Sequence, residues 1–566
     1  MFLLCSCFYV LEYLTHREID EELPGDVENQ LPQPSGRKEK AFKLFGEYCA
    51  NSSIHGVKYL GEKKRHWIER CWWIIGFAIS FCCCGGLIYK IFNKWNVSLV
   101  IVSFAEIPTP VWHIPFPAVT ICPTTKINAT MFNIIDGFEE VILHNRRPVN
   151  FSDEEYTVLN AVSQICEPYV GEAFGQLGLG DNITDGSIID VLKEAAPRLD
   201  ETIYDSNFLN NQNYSCKFEE MLTEEGLCFT FNMLTGNETY TKSISPDYSQ
   251  IHHNKRANWN LESGYDKKAE IYSPTTYPYR VAGSGADGDK LRLWLELTAS
   301  YMENVCRGPT HGYKIVLHVP GEIPQVAKHY FLIPPLQEVS VSVKANIIKT
   351  SEGLRLYHHE RRKCYFDSER KLRFLKVYTQ RNCELECLSN ATLKTCGCVK
   401  FSLPRDAVTP ICGSDRIECY HTVRDTLMKS SITETSMSRP CNCLPACYSI
   451  TYDAQISQTP FDWNSYSKTL KMPKNESSEY LPTRFEIFFK ENEFITLMRS
   501  ELYGPIDFAA SCGGLLGLFM GASFLSIVEL VYFCSLRLCC NIRTRVIQKQ
   551  EVAPVIYPTS RKAKSR

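Results

Sequence analysis

Two apolar segments, Cys71–Tyr89 and Phe508–Leu536, stand near the ends of the chain with about 400 residues between them. The first carries no charged residue and the second only Glu529. Each is long enough to cross a hydrocarbon core of roughly 30 Å at about 1.5 Å per residue. A chain built this way is tethered at both ends, and its middle must fold as a domain outside the bilayer. Lys63, Lys64, Arg65 and Arg70 precede the first segment, and Arg537, Arg543, Arg545 and Lys549 follow the second. Basic flanks stay in the cytoplasm, so both termini are expected there. Phe2–Leu11 reads poorly as a signal peptide, since no positive residue follows Met1 and the acidic Glu12 follows Leu11.

The expected layout is a cytoplasmic region 1–70, a first membrane helix 71–92, an extracellular domain 93–506, a second membrane helix 507–536 and a cytoplasmic tail 537–566. The formal charge of −3 gives no sign of nucleic-acid binding. Of 26 cysteines, 15 lie between the apolar segments. The same region carries glycosylation sequons at Asn96, Asn128, Asn150, Asn182, Asn213, Asn237, Asn390 and Asn475. An oxidising, glycosylating compartment accounts for both. The cysteines crowd into Cys364–Cys447 as CELEC, CGC and CNCLPAC. Short spacings such as Cys396-Gly397-Cys398 suit zinc in a reducing compartment, but outside the cell disulfides are favoured, and no metal or other cofactor is expected. Cys383 and Cys387 would face one way on a helix and could be stapled side by side to a neighbouring strand.

FPAVTICP at Phe116–Pro123, His55-Gly56 before the first apolar segment, the cysteine ladder and CGGLLGLFMGASFLSIVEL at Cys512–Leu530 together resemble the epithelial sodium channel, degenerin and acid-sensing channel family. The resemblance runs from about residue 42 to 545. IHGVKYL, GYDKKAEIY and RRKCYF are most similar to the pickpocket subfamily of insects. It implies a two-pass α-helical membrane protein with a large disulfide-rich mixed α/β extracellular domain of palm, thumb, finger, knuckle and β-ball. It also implies a plasma-membrane channel that assembles as a homotrimer or as a heterotrimer with other family subunits.

The second apolar segment supports a pore on physical grounds as well. Its 29 residues would span roughly 43 Å, which suggests tilt, a break or extension beyond the bilayer. Gly513, Gly514, Gly517 and Gly521 offer a small-residue face for helix contact. By resemblance, Gly521, Ala522 and Ser523 form the selectivity filter for permeant sodium. Glu529 is a pore cation site, since a carboxylate inside a span needs water, a partner or a cation. Ala510, Ser511, Gly513 and Gly514 fall in the gate region. His55 and Gly56 form a gating motif on the cytoplasmic side. A bulky residue at Ala510 or Ser511 is expected to raise resting current.

The implied disulfides are Cys122–Cys228, Cys364–Cys447, Cys383–Cys443, Cys387–Cys441, Cys396–Cys419 and Cys398–Cys412. Cys166–Cys216 is a possible further pair, which leaves Cys306 free or bonded to another subunit. YKIVLHV and VSVSVKANII read as strands, Glu154–Ile165 and Ile188–Ala196 as short helices, and residues 243–290 as long loops. The tails 17–40 and 550–566 read as disordered.

Acid-sensing relatives gather carboxylates between thumb and finger. The matching places here read Gly321-Glu322 and His421 with Asp425, and HHERRKC replaces the tryptophan before the first thumb cysteine. Gating by a modest pH drop is therefore not expected, and His358, His359 and His421 read as surface histidines. The expected function is an amiloride-sensitive, voltage-insensitive sodium channel subunit gated by an osmotic, salt, mechanical or chemical stimulus. The alternatives are an accessory non-conducting subunit or a two-pass signalling receptor. An ectoenzyme is disfavoured, because no nucleophile elbow, HExxH helix or P-loop occurs.

Overall fold

The computed structural model describes residues 46–537 and 540, apart from 63–64, 98–99, 129–133, 149–150, 178–182, 210–215, 249–255, 271–275, 303, 434–440 and 472–478. Both tails read as disordered, 17–40 and 550–566, lie outside the described residues. The chain divides into two compact units, one of Met1–Lys94 with Gly504–Arg566 and the other of Trp95–Tyr503.

The larger unit is built on two sheets. A seven-stranded mixed sheet runs in the order Val100–Phe104, Thr496–Glu501, Gln337–Thr350, Tyr480–Phe489, Lys290–Thr298 and Ile203–Phe208, with Ser449–Pro460 paired to the long strand Gln337–Thr350. That long strand runs parallel to Tyr480–Phe489 and Thr496–Glu501 along one edge and antiparallel to Ser449–Pro460 along the other. A five-stranded antiparallel sheet follows the order Phe331–Ile333, Tyr313–His318, Ala118–Pro123, Gly226–Phe231 and Phe218–Thr223. The period-two pattern sets the inward face: Val339, Val341, Val343, Ala345 and Ile347 are buried, as are Leu291, Leu293, Leu295 and Leu297. Together with Phe116, Phe208, Phe229, Phe231 and Phe489 they form one core shared by both sheets. Each such large side chain stabilises by roughly 1.5–3 kcal/mol on burial.

A second core gathers Phe138, Leu159, Val162, Val170, Phe174, Ile189 and Leu192 from short helices. Asp153–Ser163 starts on a capping box, with Ser152 accepting from the Glu155 amide while the Glu155 side chain accepts from the Ser152 amide. Ser187–Ala195 is the other expected helix. Beneath them Glu225 is buried among Arg307 at 2.8 Å, Lys314 at 3.0 Å and Lys126 at 3.3 Å. Burial pushes the Glu225 carboxyl up, but Lys126, Arg307 and Lys314 outweigh it and hold it at about 2. Lys126, one of three cations on a single carboxylate, is brought down to about 7, chiefly by burial.

The remaining element is a disulfide-laddered helix pair, Gln380–Cys396 and Ile417–Thr433. Thr379 caps the first helix by accepting from the Asn382 amide, and Gly397, at φ 74°, ends it in the left-handed conformation. Cys383 and Cys387 share one face of this helix and bond to Cys443 and Cys441. Cys396–Cys419 ties the two helices together, and Cys398–Cys412 and Cys364–Cys447 complete the ladder. Cys122–Cys228 joins neighbouring strands of the smaller sheet. The seventh pair differs from expectation. Cys166 bonds to Cys306, with Cα atoms 4.5 Å apart, and Cys216 is a free thiol packed at the edge of the main core. The Glu167 amide donates to the Cys306 carbonyl at 2.8 Å, so backbone pairing holds these two cysteines in register.

Asn237 and Asn390 are exposed, whereas Asn128 is 8 % exposed, with its amide bonded to the Ala195 carbonyl. Asn150, Asn182, Asn213 and Asn475 lie outside the described residues.

Candidate functional site

In the smaller unit the first apolar segment is a single helix, Trp67–Val97, long and apolar enough to cross a membrane. Its outward side chains include Trp72, Ile75, Ile79 and Phe81. The second segment is not one helix. Pro505–Met520 and Phe524–Arg537 are bent by 75° at the residues between them and reach membrane-crossing length only as a pair. The two-pass layout therefore depends on a broken second span.

The break has local causes. Gly521 takes φ 64°, a left-handed conformation that a side chain disfavours, and its amide closes the first half on the Gly517 carbonyl at 2.9 Å. Ser523 starts the second half as its cap: the Ser523 hydroxyl accepts from the Ser526 amide, and the Ser526 hydroxyl accepts from the Ser523 amide at 3.1 Å. Gly521, Ala522 and Ser523, the expected filter, are therefore the three residues left unwound. A helix end leaves carbonyls without partners. Here the Met520 carbonyl accepts the His55 amide at 3.0 Å.

His55 is thus brought against the break. A Cβ on Gly521 would run into the His55 ring. Gly56 takes φ 86° and turns the chain into the short helix Val57–Gly61, whose Tyr59 stacks on Trp73 with ring centroids 4.5 Å apart. Ser53 makes the remaining links: its hydroxyl meets the Ser526 hydroxyl at 2.7 Å and donates to Glu529 Oε2 at 3.0 Å. Arg537 pairs with Glu47 at 3.1 Å, and Tyr48 packs edge-on against Phe533. Ser53 and Ser526 are functional candidates that sequence reasoning missed, although the run Asn51-Ser52-Ser53 just before His55-Gly56 was a visible signal.

Ala510, Ser511, Gly513 and Gly514 all lie in the first half-helix, Pro505–Met520. A Cβ on Gly513 or Gly514 would meet nothing within 4 Å, so this small-residue face is open within the chain.

Where the chain leaves the first apolar helix, a second cluster forms. Arg361 donates to the Trp95 carbonyl at 3.2 Å and to Asn96 Oδ1 at 3.3 Å, with its guanidinium over the Trp95 and Tyr357 rings. The Tyr357 hydroxyl donates to Glu501 at 3.4 Å, at the end of the strand that precedes the broken helix. The HHERRKC sequence thus supplies a cation, Arg361, to the Trp95 and Tyr357 rings.

Glu322 and Asp425 each have a separate basic partner. Glu322 is buried beside Arg381 at 3.4 Å, and burial raises its carboxyl. Asp425 pairs with Arg424 at 3.3 Å. His421 is only partly exposed: burial, with Lys400 and Arg424 nearby, holds it down to about 4, so it is neutral at physiological pH.

The family described as amiloride-sensitive sodium channel matches residues 48–533. The chain belongs to the amiloride-sensitive sodium channel family. This is a family of oligomeric plasma-membrane ion channels, not of enzymes. Relatives within the epithelial sodium channel, degenerin and acid-sensing group include pickpocket protein 28 of Drosophila melanogaster, 27% identical with 91% of this chain and 83% of that protein covered. Sodium channel protein Nach of the same fly is 22% identical, with 90% and 91% covered. Acid-sensing ion channel 4-B of Danio rerio is 21% identical, with 90% and 78% covered. In this family member the second apolar helix is interrupted at Gly521, Ala522 and Ser523, the residues expected to form the filter.

Proposed function

We propose that the chain is a subunit of an amiloride-sensitive, voltage-insensitive, sodium-selective channel, with both termini cytoplasmic and three subunits around the pore. The observation that carries this reading is the unwound Gly521-Ala522-Ser523 between two apolar half-helices, in a chain whose family is that of sodium channels. Unwinding frees backbone carbonyls from helical hydrogen bonds, and small side chains let three such segments approach an axis closely enough to replace part of a sodium ion's hydration shell. The open face at Gly513 and Gly514 suits contact with neighbouring subunits.

Gating enters at two places. On the extracellular side, Arg361 meets Trp95 and Tyr357 meets Glu501, beside the points where the chain passes from the first apolar segment and toward the second. On the cytoplasmic side, the His55 amide and the Ser53 hydroxyl hold both halves of the broken helix. A stimulus that shifts either cluster changes the angle at the break. The stimulus itself is external and sensory: osmotic, salt, mechanical or chemical.

One observation favours the accessory-subunit reading: Glu529 is hydrogen-bonded to Ser53 of its own chain, which draws the carboxylate toward the amino-terminal segment. Whole-cell recording from the chain expressed alone, at rest, in acid and in hypo-osmotic solution, with and without amiloride, separates the two. An amiloride-blocked sodium current supports the homomeric channel. Silence from glycosylated surface protein, with current restored on co-expression of a relative, supports the accessory role. In a conducting channel, Glu529→Gln lowers conductance or sodium preference, and unchanged values remove Glu529 from the ion path.

A further inference from the structure

The segment His358-His359-Glu360, one residue before Arg361, holds the only group of three or more metal-ligating side chains brought together among the described residues. One ligand atom from each lies within 4.8 Å of the other two. Neighbouring residues on a continuous helix splay by about 100° and do not share a target. The backbone here is different. His358 is extended, at φ −62° and ψ 143°, and only His359 begins the short helix His359–Arg362. The turn folds the His358 ring back onto His359, with ring centroids 3.9 Å apart, and leaves His358 Nδ1 3.9 Å from Glu360 Oε2.

We propose that His358, His359 and Glu360 form an extracellular binding site for a zinc-class transition-metal ion. Two imidazoles and a carboxylate are a donor set for such ions, with bonds of roughly 2.0–2.2 Å. The exposed side chains of His358 and Glu360 leave a further position for water. His359 is steadied from behind by the Tyr365 ring, at 4.7 Å between centroids. The two neighbouring cations do not compete for the site, since Arg362 is buried on Glu369 and Arg361 is held by Trp95 and Asn96. A bound ion fixes the turn that presents Arg361 to Trp95. The binding itself does not depend on the channel reading.

The test is calorimetric titration of zinc chloride into the purified full-length chain in detergent, with free thiols blocked by N-ethylmaleimide. One thiol-independent zinc per chain is expected. Since outer-sphere partners alone are worth roughly ten- to a hundredfold in metal affinity, the double variant H358A/H359A should lose the site and Glu360→Gln should weaken it at least about tenfold. Both variants change partly exposed side chains, and an unaltered thermal midpoint shows that they fold. No zinc bound by the unmodified chain, or equal binding by the folded double variant, overturns the proposal.

Discussion

The helix Gln380–Cys396 and the broken pair Pro505–Met520 and Phe524–Arg537 are both anchored along their length, but by different chemistry. The first is cross-linked through Cys383, Cys387 and Cys396 and cannot leave its neighbours without breaking covalent bonds. The second is held by an amide on a carbonyl, a pair of serine hydroxyls and a serine on a carboxylate. Each of these is worth about 0.5–1.5 kcal/mol, rising to about 3 where a charge takes part, an amount a ligand or a force can supply. The laddered helix suits a strut that transmits displacement, and the broken helix suits the part that changes.

The sharpest contrast comes from removing a covalent tie. Cys364 and Cys447 are 83 residues apart, and opening a loop of that size costs about 4.5 kcal/mol by chain entropy. The double variant C364S/C447S should lower the thermal midpoint and the yield of mature protein, and an unchanged midpoint would show that the ladder is redundant.

Glu225→Gln tests whether the extracellular region is also rigid in its charges. Breaking a buried ion cluster costs roughly 3–5 kcal/mol, and the lower end applies because glutamine still accepts hydrogen bonds. The carboxyl, held at about 2, is depressed below the roughly 4.3 of an unfolded glutamate. Its contribution is therefore complete above pH about 4.3 and lost as pH falls toward 2. The unmodified chain should melt more steeply downward than the variant across that window, and parallel pH curves would contradict the assignment.

At the break the effects are smaller in energy and larger in current. Gly521→Ala places a Cβ against His55 at a left-handed φ and should cut amiloride-sensitive current at least about tenfold, with little loss of surface protein. Gly76→Ala, on the first apolar helix and also with nothing within 4 Å of its Cβ, should leave current near normal. Equal effects would remove the His55 contact from the account. Ser53→Ala deletes the donor to Glu529 and should shift the stimulus needed for half-maximal current by about fivefold, near 1 kcal/mol. His421→Ala should leave the response between pH 7.4 and 5.5 unchanged, because His421 is already neutral there; a lost acid response would make it a sensor.

Much of this was legible in the chain. The family resemblance implied six bridges, and the length of the second apolar segment left tilt, a break or extension beyond the bilayer open. The alternation of Val339–Ile348 read as a strand, which the structure extends to Gln337–Thr350. The seventh bridge was not legible, because Cys166 and Cys306 are 140 residues apart and meet only once the helical cluster has formed. Ser53 escaped notice because a serine acquires meaning only beside Ser526 and Glu529. His421 was read as a surface histidine, and its partial burial beside Lys400 and Arg424 was not legible because that packing forms only in the fold.

The central claim is that the unwound Gly521-Ala522-Ser523 forms the ion path. The most direct test is the reversal potential of the amiloride-sensitive current with sodium inside and potassium outside, and then exchanged, for the unmodified chain and for Ser523→Asp. The account predicts a strong sodium preference in the first and a shift toward potassium in the second. Identical reversal potentials in two equally surface-expressed channels would contradict it.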